Sequence, residues 1–191
     1  FRDRKGQCMT MTLPAIPSDV RGRRALVRVD FNVPMENGQI ADDFRILRTL
    51  PGIQELQAEG ARVILISHLD TDGDRPSVKP LADYCASHLP RFSFVGDIVG
   101  NAAREAVERL QDGDVLLLEN VRHAEGEAAN ATEFAKQLSS LGDLYINEAF
   151  SASHRKHASI VGVPQYLPAY AGPLFRTEVE HLSRALKPPH P

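Results

Sequence analysis

With 191 residues the chain is long enough for one domain with a real core, or at most two small ones. Its 42% apolar and 25% charged residues are ordinary for a globular protein, and a net charge of -3 excludes bulk attraction to nucleic acid or an anionic membrane. Any anion site must therefore be a local cluster of basic groups. Of the 22 basic residues 17 are arginine. That bias suits bidentate phosphate recognition, and GC-rich coding would produce it equally.

The two cysteines, Cys8 in a tail and Cys85 in a helical pattern, imply no disulfide and fit a reducing cytoplasm. No apolar run approaches transmembrane length, and residues 1–10 lack the apolar middle of a signal peptide. Residues 1–13 are read as an extension outside the fold.

A lead-in over 14–23 precedes a first strand over 25–29. The Asp42-Asp43 pair is placed to cap a helix whose apolar face is Ile46, Leu47, Leu50, Ile53 and Leu56, with Pro51 as a kink or split and Gly60 as its end. The β-branched run 62–66 predicts a buried parallel strand. Ser77 opens a second helix through Leu81, Tyr84, Cys85 and Leu89. A short strand over 92–95 precedes a helix capped by Asn101. Strands over 115–118 and 144–146 flank a helix over 132–141, and a last helical pattern over 173–186 runs into Lys187-Pro188-Pro189-His190-Pro191. Strands alternating with helices of this length predict βαβ units: a three-layer, Rossmann-like, doubly wound parallel sheet of the α/β class.

The chain turns on the stretch Arg28-Val29-Asp30-Phe31-Asn32-Val33-Pro34. A strand ends there, because Pro34 cannot donate to a ladder, and Asp30 and Asn32 leave at its carboxyl edge. In open α/β sheets ligands gather outside such edges. The plainer reading is a strand exit with turn-forming Asp and Asn. Other strands empty polar groups at the same rim: His68 after the second, Arg122 after 115–118, and Arg155 within Ser153-His154-Arg155-Lys156-His157. Arg45 starts the first helix. Three arginines and a histidine on one rim make a concentrated anion site, suited to two phosphates or a phosphate and a carboxylate.

Other chemistries fit poorly. No G-x-G-x-x-G follows a strand and no G-x-x-x-x-G-K-[ST] occurs, so nucleotide binding by this chain has no support. Asp70-Thr71-Asp72-Gly73-Asp74 misplaces the glycine of a calcium loop and puts Leu81 where its bidentate Glu belongs. It is read as a solvated acidic turn. The seven histidines show no zinc spacing, and His154 and His157 read as loop residues. No metal ligands are expected.

The segment 27–34 resembles the signature of the phosphoglycerate kinase family. Asp42-Asp43-Phe44-Arg45-Ile46, Ser67-His68-Leu69, Leu117-Leu118-Glu119-Asn120-Val121-Arg122, Asn147-Glu148-Ala149-Phe150 with His154-Arg155 and His157-Ala158-Ser159, and Ala171-Gly172-Pro173-Leu174 resemble further motifs in family order. The resemblance covers 17–191. It implies the N-terminal domain of an enzyme that moves a phosphoryl group between ATP and the carboxylate of 3-phosphoglycerate, giving 1,3-bisphosphoglycerate. The partner is then a C-terminal nucleotide-binding domain, which would hold Mg-ATP or Mg-ADP; none is expected on this chain. Residues 14–172 correspond to the domain, and 173–191 to an interdomain linker helix with a proline-rich end.

By the same resemblance Asp30 and Asn32 orient the carboxylate-hydroxyl end of the substrate, Arg45 is catalytic and stabilises the phosphoryl group in transit, and His68, Arg122 and Arg155 clamp the 3-phosphate. The isolated chain would bind but not catalyse. A non-catalytic, phosphoglycerate-kinase-like binding or interaction domain is the alternative.

Departures stand beside the likeness. A clamping arginine of the family falls on Thr71, among Asp70, Asp72 and Asp74, with Arg75 as a substitute if the loop is rearranged. Glu148 stands for an Asp, His123-Ala124 for an aromatic, and Ser151 for a Gly. One lost arginine contact costs roughly 1.5–3 kcal/mol, one to two decades of affinity.

Overall fold

The computed structural model describes residues 13–71 and 73–185. Cys8 with nearly all of the N-terminal extension, Asp72, and the proline-rich end lie outside the described residues.

Strand β1 (Arg24–Arg28) leads into a hairpin, β2 (Met35–Glu36) and β3 (Gln39–Ile40), and then α1 (Phe44–Ala58). There follow β4 (Arg62–Ile66), α2 (Lys79–Ala86), β5 (Phe92–Val95), α3 (Asn101–Glu108) and β6 (Val115–Leu118). A short α4 (Glu125–Ala128), α5 (Thr132–Ser139), β7 (Leu144–Asn147), β8 (Ala169–Ala171) and α6 (Pro173–Ala185) complete the described chain. Six strands form one sheet in the order β5-β6-β4-β1-β7-β8, every pair parallel.

Alternation along the strands divides the core. Val27, Val63, Leu65 and Leu117 face α1 and α2, meeting Ile46, Leu50, Ile53 and Leu81. Leu26, Ile64, Ile66, Leu116 and Leu118 face the other way, onto Val107 of α3 and Phe134 and Leu138 of α5. Helices thus cover both faces, the doubly wound arrangement that the alternating elements imply. The helix leaving β1 covers one face and the helix before β7 the other, so a crevice opens outside the carboxyl ends of these neighbouring strands.

Some local expectations are corrected. Pro51 neither splits nor ends α1, which runs unbroken through it. Leu47 is 43% exposed, and Thr49 takes its place on the buried face. Asp43 makes no capping bond; Asp42 accepts from the Phe44 N–H, while Asp43 accepts from the Tyr84 hydroxyl. The Asn37-Gly38 turn has positive φ at both residues and closes a hairpin. A sixth strand, β8, was not expected. Only three residues long and bounded by Pro168 and Gly172, it has little intrinsic strand preference and is held by pairing with β7.

The cap of α3 is also not the expected one. Asp97, not Asn101, accepts from the N–H groups of Ile98, Gly100 and Ala103 at 2.7, 3.1 and 3.1 Å. Burial works to raise its pKa, but these donors outweigh it and hold the carboxyl below the usual range. Asp97→Ala is expected to cost about 1–2 kcal/mol in urea denaturation, the value of a lost N-cap. An unchanged midpoint would show that the turn holds itself.

Candidate functional site

The site begins at the end of β1. Past Arg28 the backbone is held once more, by the Val29 N–H on Ile66 O at 3.1 Å, and then leaves the sheet. Asp30 accepts from the Asn32 N–H at Oδ1 (3.2 Å) and from Arg45 Nη1 at Oδ2 (2.8 Å), where the Ser151 hydroxyl also donates. Arg45 makes a second bond to Asn32 O at 3.2 Å. Its position in the first turn of α1 brings it back over the β1 exit. Asn32 in turn receives the Asp70 N–H at Oδ1, 2.9 Å.

Asp30, Asn32, Arg45, His68 and Arg155 line one hollow of about 170 Å³ with Ser151 and Ala152. That is below the roughly 300 Å³ at which pockets for drug-sized ligands begin, and suits a small metabolite. Arg122 does not line this hollow. It is buried beside the 70–74 loop, with Nη2 3.8 Å from Asp70 Oδ2. Its charge nonetheless acts on His68 and His157, so it belongs to the same cationic cluster.

Behind the hollow lies a polar chain that the sequence reading missed. Arg28, 1% exposed, points back under the strand. It donates from Nε to Ser159 Oγ at 3.0 Å and from Nη2 to His68 Nδ1 at 2.9 Å. Ser159 lies in a π-helical turn, Ala158–Gly162, and donates through its hydroxyl and N–H to the buried Glu127 carboxylate, at 2.6 and 2.8 Å. A guanidinium cannot accept a hydrogen bond, so His68 Nδ1 is the acceptor and its proton sits on Nε2. Burial, then the charges of Arg28, Arg122 and Arg155, push the His68 pKa down to about 2. His68 is therefore a neutral hydrogen-bond donor to this hollow rather than a cation. An arginine within the buried first strand was the available signal, since charge inside a buried strand demands a partner.

Two further placements differ from expectation, while His157 sits in a loop as read. The acidic turn is not wholly solvated: Thr71 and Asp74 exchange two backbone bonds, and Asp70 is turned toward Arg122. Arg75 is exposed and donates to Arg122 O at 3.0 Å, and does not line the hollow. His157, half-buried, stands 4.0 Å from Glu127 Oε1; burial and Arg122 lower its pKa.

An adjoining cavity of about 240 Å³ shares Asp30, Arg45 and Ser151 and is also lined by Phe44, Leu174 and Glu148. Glu148 is 5% exposed and accepts from the Phe175 N–H at the start of α6, 3.1 Å away. No group of three or more His, Cys, Asp or Glu side chains poised for a metal occurs among the described residues. No described helix is long and apolar enough to cross a membrane.

Fold and hollow together define a doubly wound α/β domain whose carboxyl rim carries a recess lined by Arg45, Arg155 and the neutral His68. The family model described as "Phosphoglycerate kinase" matches residues 16–191, and the chain belongs to the phosphoglycerate kinase family. It is 49% identical over 175 residues to a phosphoglycerate kinase of Methylorubrum populi, covering 89% of this chain and 44% of that one. To one of Pelotomaculum thermopropionicum it is 48% identical over 176 residues, covering 90% and 45%. Among solved structures, the phosphoglycerate kinase of Pyrococcus horikoshii superposes with a TM-score of 0.82 at 32% identity, covering 87% of this chain and 44% of that one. That of Coxiella burnetii does so at 0.78 and 38% identity, covering 90% and 44%. The chain thus spans about 44% of the length of the curated relatives it matches.

Proposed function

We propose that this chain is the substrate-binding half of a two-domain phosphoglycerate kinase, holding 3-phosphoglycerate for phosphoryl transfer from ATP to its carboxylate. The observation that carries this reading is the meeting of Asp30, Asn32, Arg45, His68 and Arg155 around one hollow, with Arg122 buried beside it and its Nε and Nη2 unpaired among the described residues. Two free donors on a buried guanidinium suit an incoming phosphate oxygen.

His68 Nε2–H and the guanidinium groups of Arg122 and Arg155 take the 3-phosphate. Asp30 and Asn32 orient the carboxylate-hydroxyl end. Arg45 is half exposed at the mouth, anchored by one nitrogen, and is free to meet charge on the phosphoryl group as it transfers. Mg-ATP or Mg-ADP belongs to the family's other domain. The residues here offer no glycine-rich cradle for its phosphates, and no step is routed through it.

Calorimetric titration of the chain with 3-phosphoglycerate tests this. Heat at millimolar ligand is expected, without ATP turnover. Arg122→Met should weaken binding about ten- to a hundredfold, the value of a charge-assisted hydrogen bond. A folded chain that gives no heat would defeat the reading.

The carboxylate at Arg122 favours a second reading, a family member that keeps the fold for binding or interaction without catalysis. It predicts that joining a nucleotide domain of a relative to this chain restores no turnover.

A further inference from the structure

Arg122 is nine-tenths buried, and neither its Nε nor its Nη2 has a hydrogen-bond partner among the described residues. Leaving donors of a buried cation unpaired is costly unless something offsets it. The Asp70 carboxylate stands near, its Oδ2 3.8 Å from Nη2. That is too long for a hydrogen bond and short enough for strong attraction in a partly buried setting. The backbone holds Asp70 beside Arg122. The Asp70 N–H is held by Asn32 Oδ1, and the next residue is pinned by the paired Thr71 and Asp74 bonds. Asp70 also lines a hollow with Asn32, Phe44 and Arg45, next to the proposed substrate recess.

We infer that Asp70 is a specificity-determining residue: an internal anion that competes with the ligand's phosphate group for Arg122. The inference rests on the proposed reading of the recess as a phosphoglycerate site. A phosphate approaching Arg122 meets a pair with no net charge. It must also lie close to a carboxylate whose main chain is tied to Asn32, or drive that side chain to turn away. The repulsion scales with ligand charge, so Asp70 acts against a phosphate dianion more than against a carboxylate monoanion. The attraction that would hold the phosphate is partly spent on the protein's own side chain.

The test is calorimetric titration of the 191-residue chain, Asp70→Asn, and Asp70→Asn combined with Arg122→Met, each against 3-phosphoglycerate and against glycerate. Asparagine keeps the size of the side chain and the backbone bond to Asn32. At low salt Asp70→Asn is expected to tighten 3-phosphoglycerate at least tenfold and to leave glycerate within twofold. The gain should shrink in high salt and vanish with Arg122→Met. Asp70→Ser serves in its place if circular dichroism shows the asparagine variant misfolded. A parent that binds 3-phosphoglycerate and a variant that binds it equally or more weakly overturn the role of Asp70 alone. A gain of the same size for glycerate also overturns it, since the carboxylate would not then act at the phosphate. Folded parent and variants that all fail to bind overturn the substrate reading and this inference together.

Discussion

Glu127→Gln is expected to lower stability by about 3–5 kcal/mol, because it leaves the Arg28 charge in the core without its anion. Arg28 is wholly enclosed, and Glu127 is the foremost charge favouring its protonated form, ahead of Tyr145 and Asp30. The contact is indirect. Arg28 Nε donates to Ser159 Oγ, which donates to Glu127 Oε1. A glutamine can keep a bond from the Ser159 N–H, so shape is preserved while charge is lost. Urea denaturation measures the change. The control is Arg28→Met with Glu127→Gln, which removes both charges and should recover a large part of the loss, since apolar replacement of a whole buried pair is often neutral. Equal losses in the single and double variants would show that packing around Ser159, not charge, is what Glu127 supplies. The Arg28 change also deprives His68 Nδ1 of its donor, so the double variant should bind ligand poorly even where it is stable.

The second large effect depends on pH. Glu148 is buried where α6 starts, and burial, opposed by the Phe175 and Leu174 N–H groups and helped by the nearby Glu55 charge, raises its pKa from 4.5 to about 7. A carboxyl that holds its proton more tightly when folded makes folding take up a proton between those values. Stability from this group is then fully present below about pH 4.5 and declines as pH rises toward 7. The difference corresponds to about 3 kcal/mol. Glu148→Gln removes the titration and keeps an acceptor for the Phe175 N–H. Its stability relative to the parent should therefore climb between pH 4.5 and 7 and level off above. Parallel curves for the two proteins would mean that the carboxyl ionises freely in place. The glycines around it explain why the longer acid fits: a Cβ on Gly172 would lie 2.1 Å from Glu148 Cδ, and one on Gly52 3.0 Å from Oε1.

Much of the fold could be read because its strands are buried apolar runs between well-marked helices. Runs such as 62–66 and 115–118 have few other destinations in a chain of this size. What escaped reading was held by tertiary contact. β8 exists because β7 pairs with one side of it and because the Ala171 N–H meets Pro14 O. Asp97 caps α3 from outside the helix, which no local pattern of the first turn announces. At the site, Asp30, Asn32 and Arg45 were legible from the strand exit and the helix that returns over it. Arg28, Ser159 and Glu127 were not read as a set, because they meet across 131 and 32 residues and the motifs that hold Arg28 and Ser159 do not name their partners. Asp70 was legible as an acid but not as a neighbour of Arg122, since only the loop's fold decides where its side chain goes.

The hydroxyl of Ser151 donates to Asp30 across 121 residues of chain, so the two ends of the recess exist together only when nearly the whole sheet has assembled. A partly folded chain that lacks β7 has no recess to fill. On the proposed substrate reading, ligand at a hundred times its dissociation constant would add about 2.7 kcal/mol to the finished state alone.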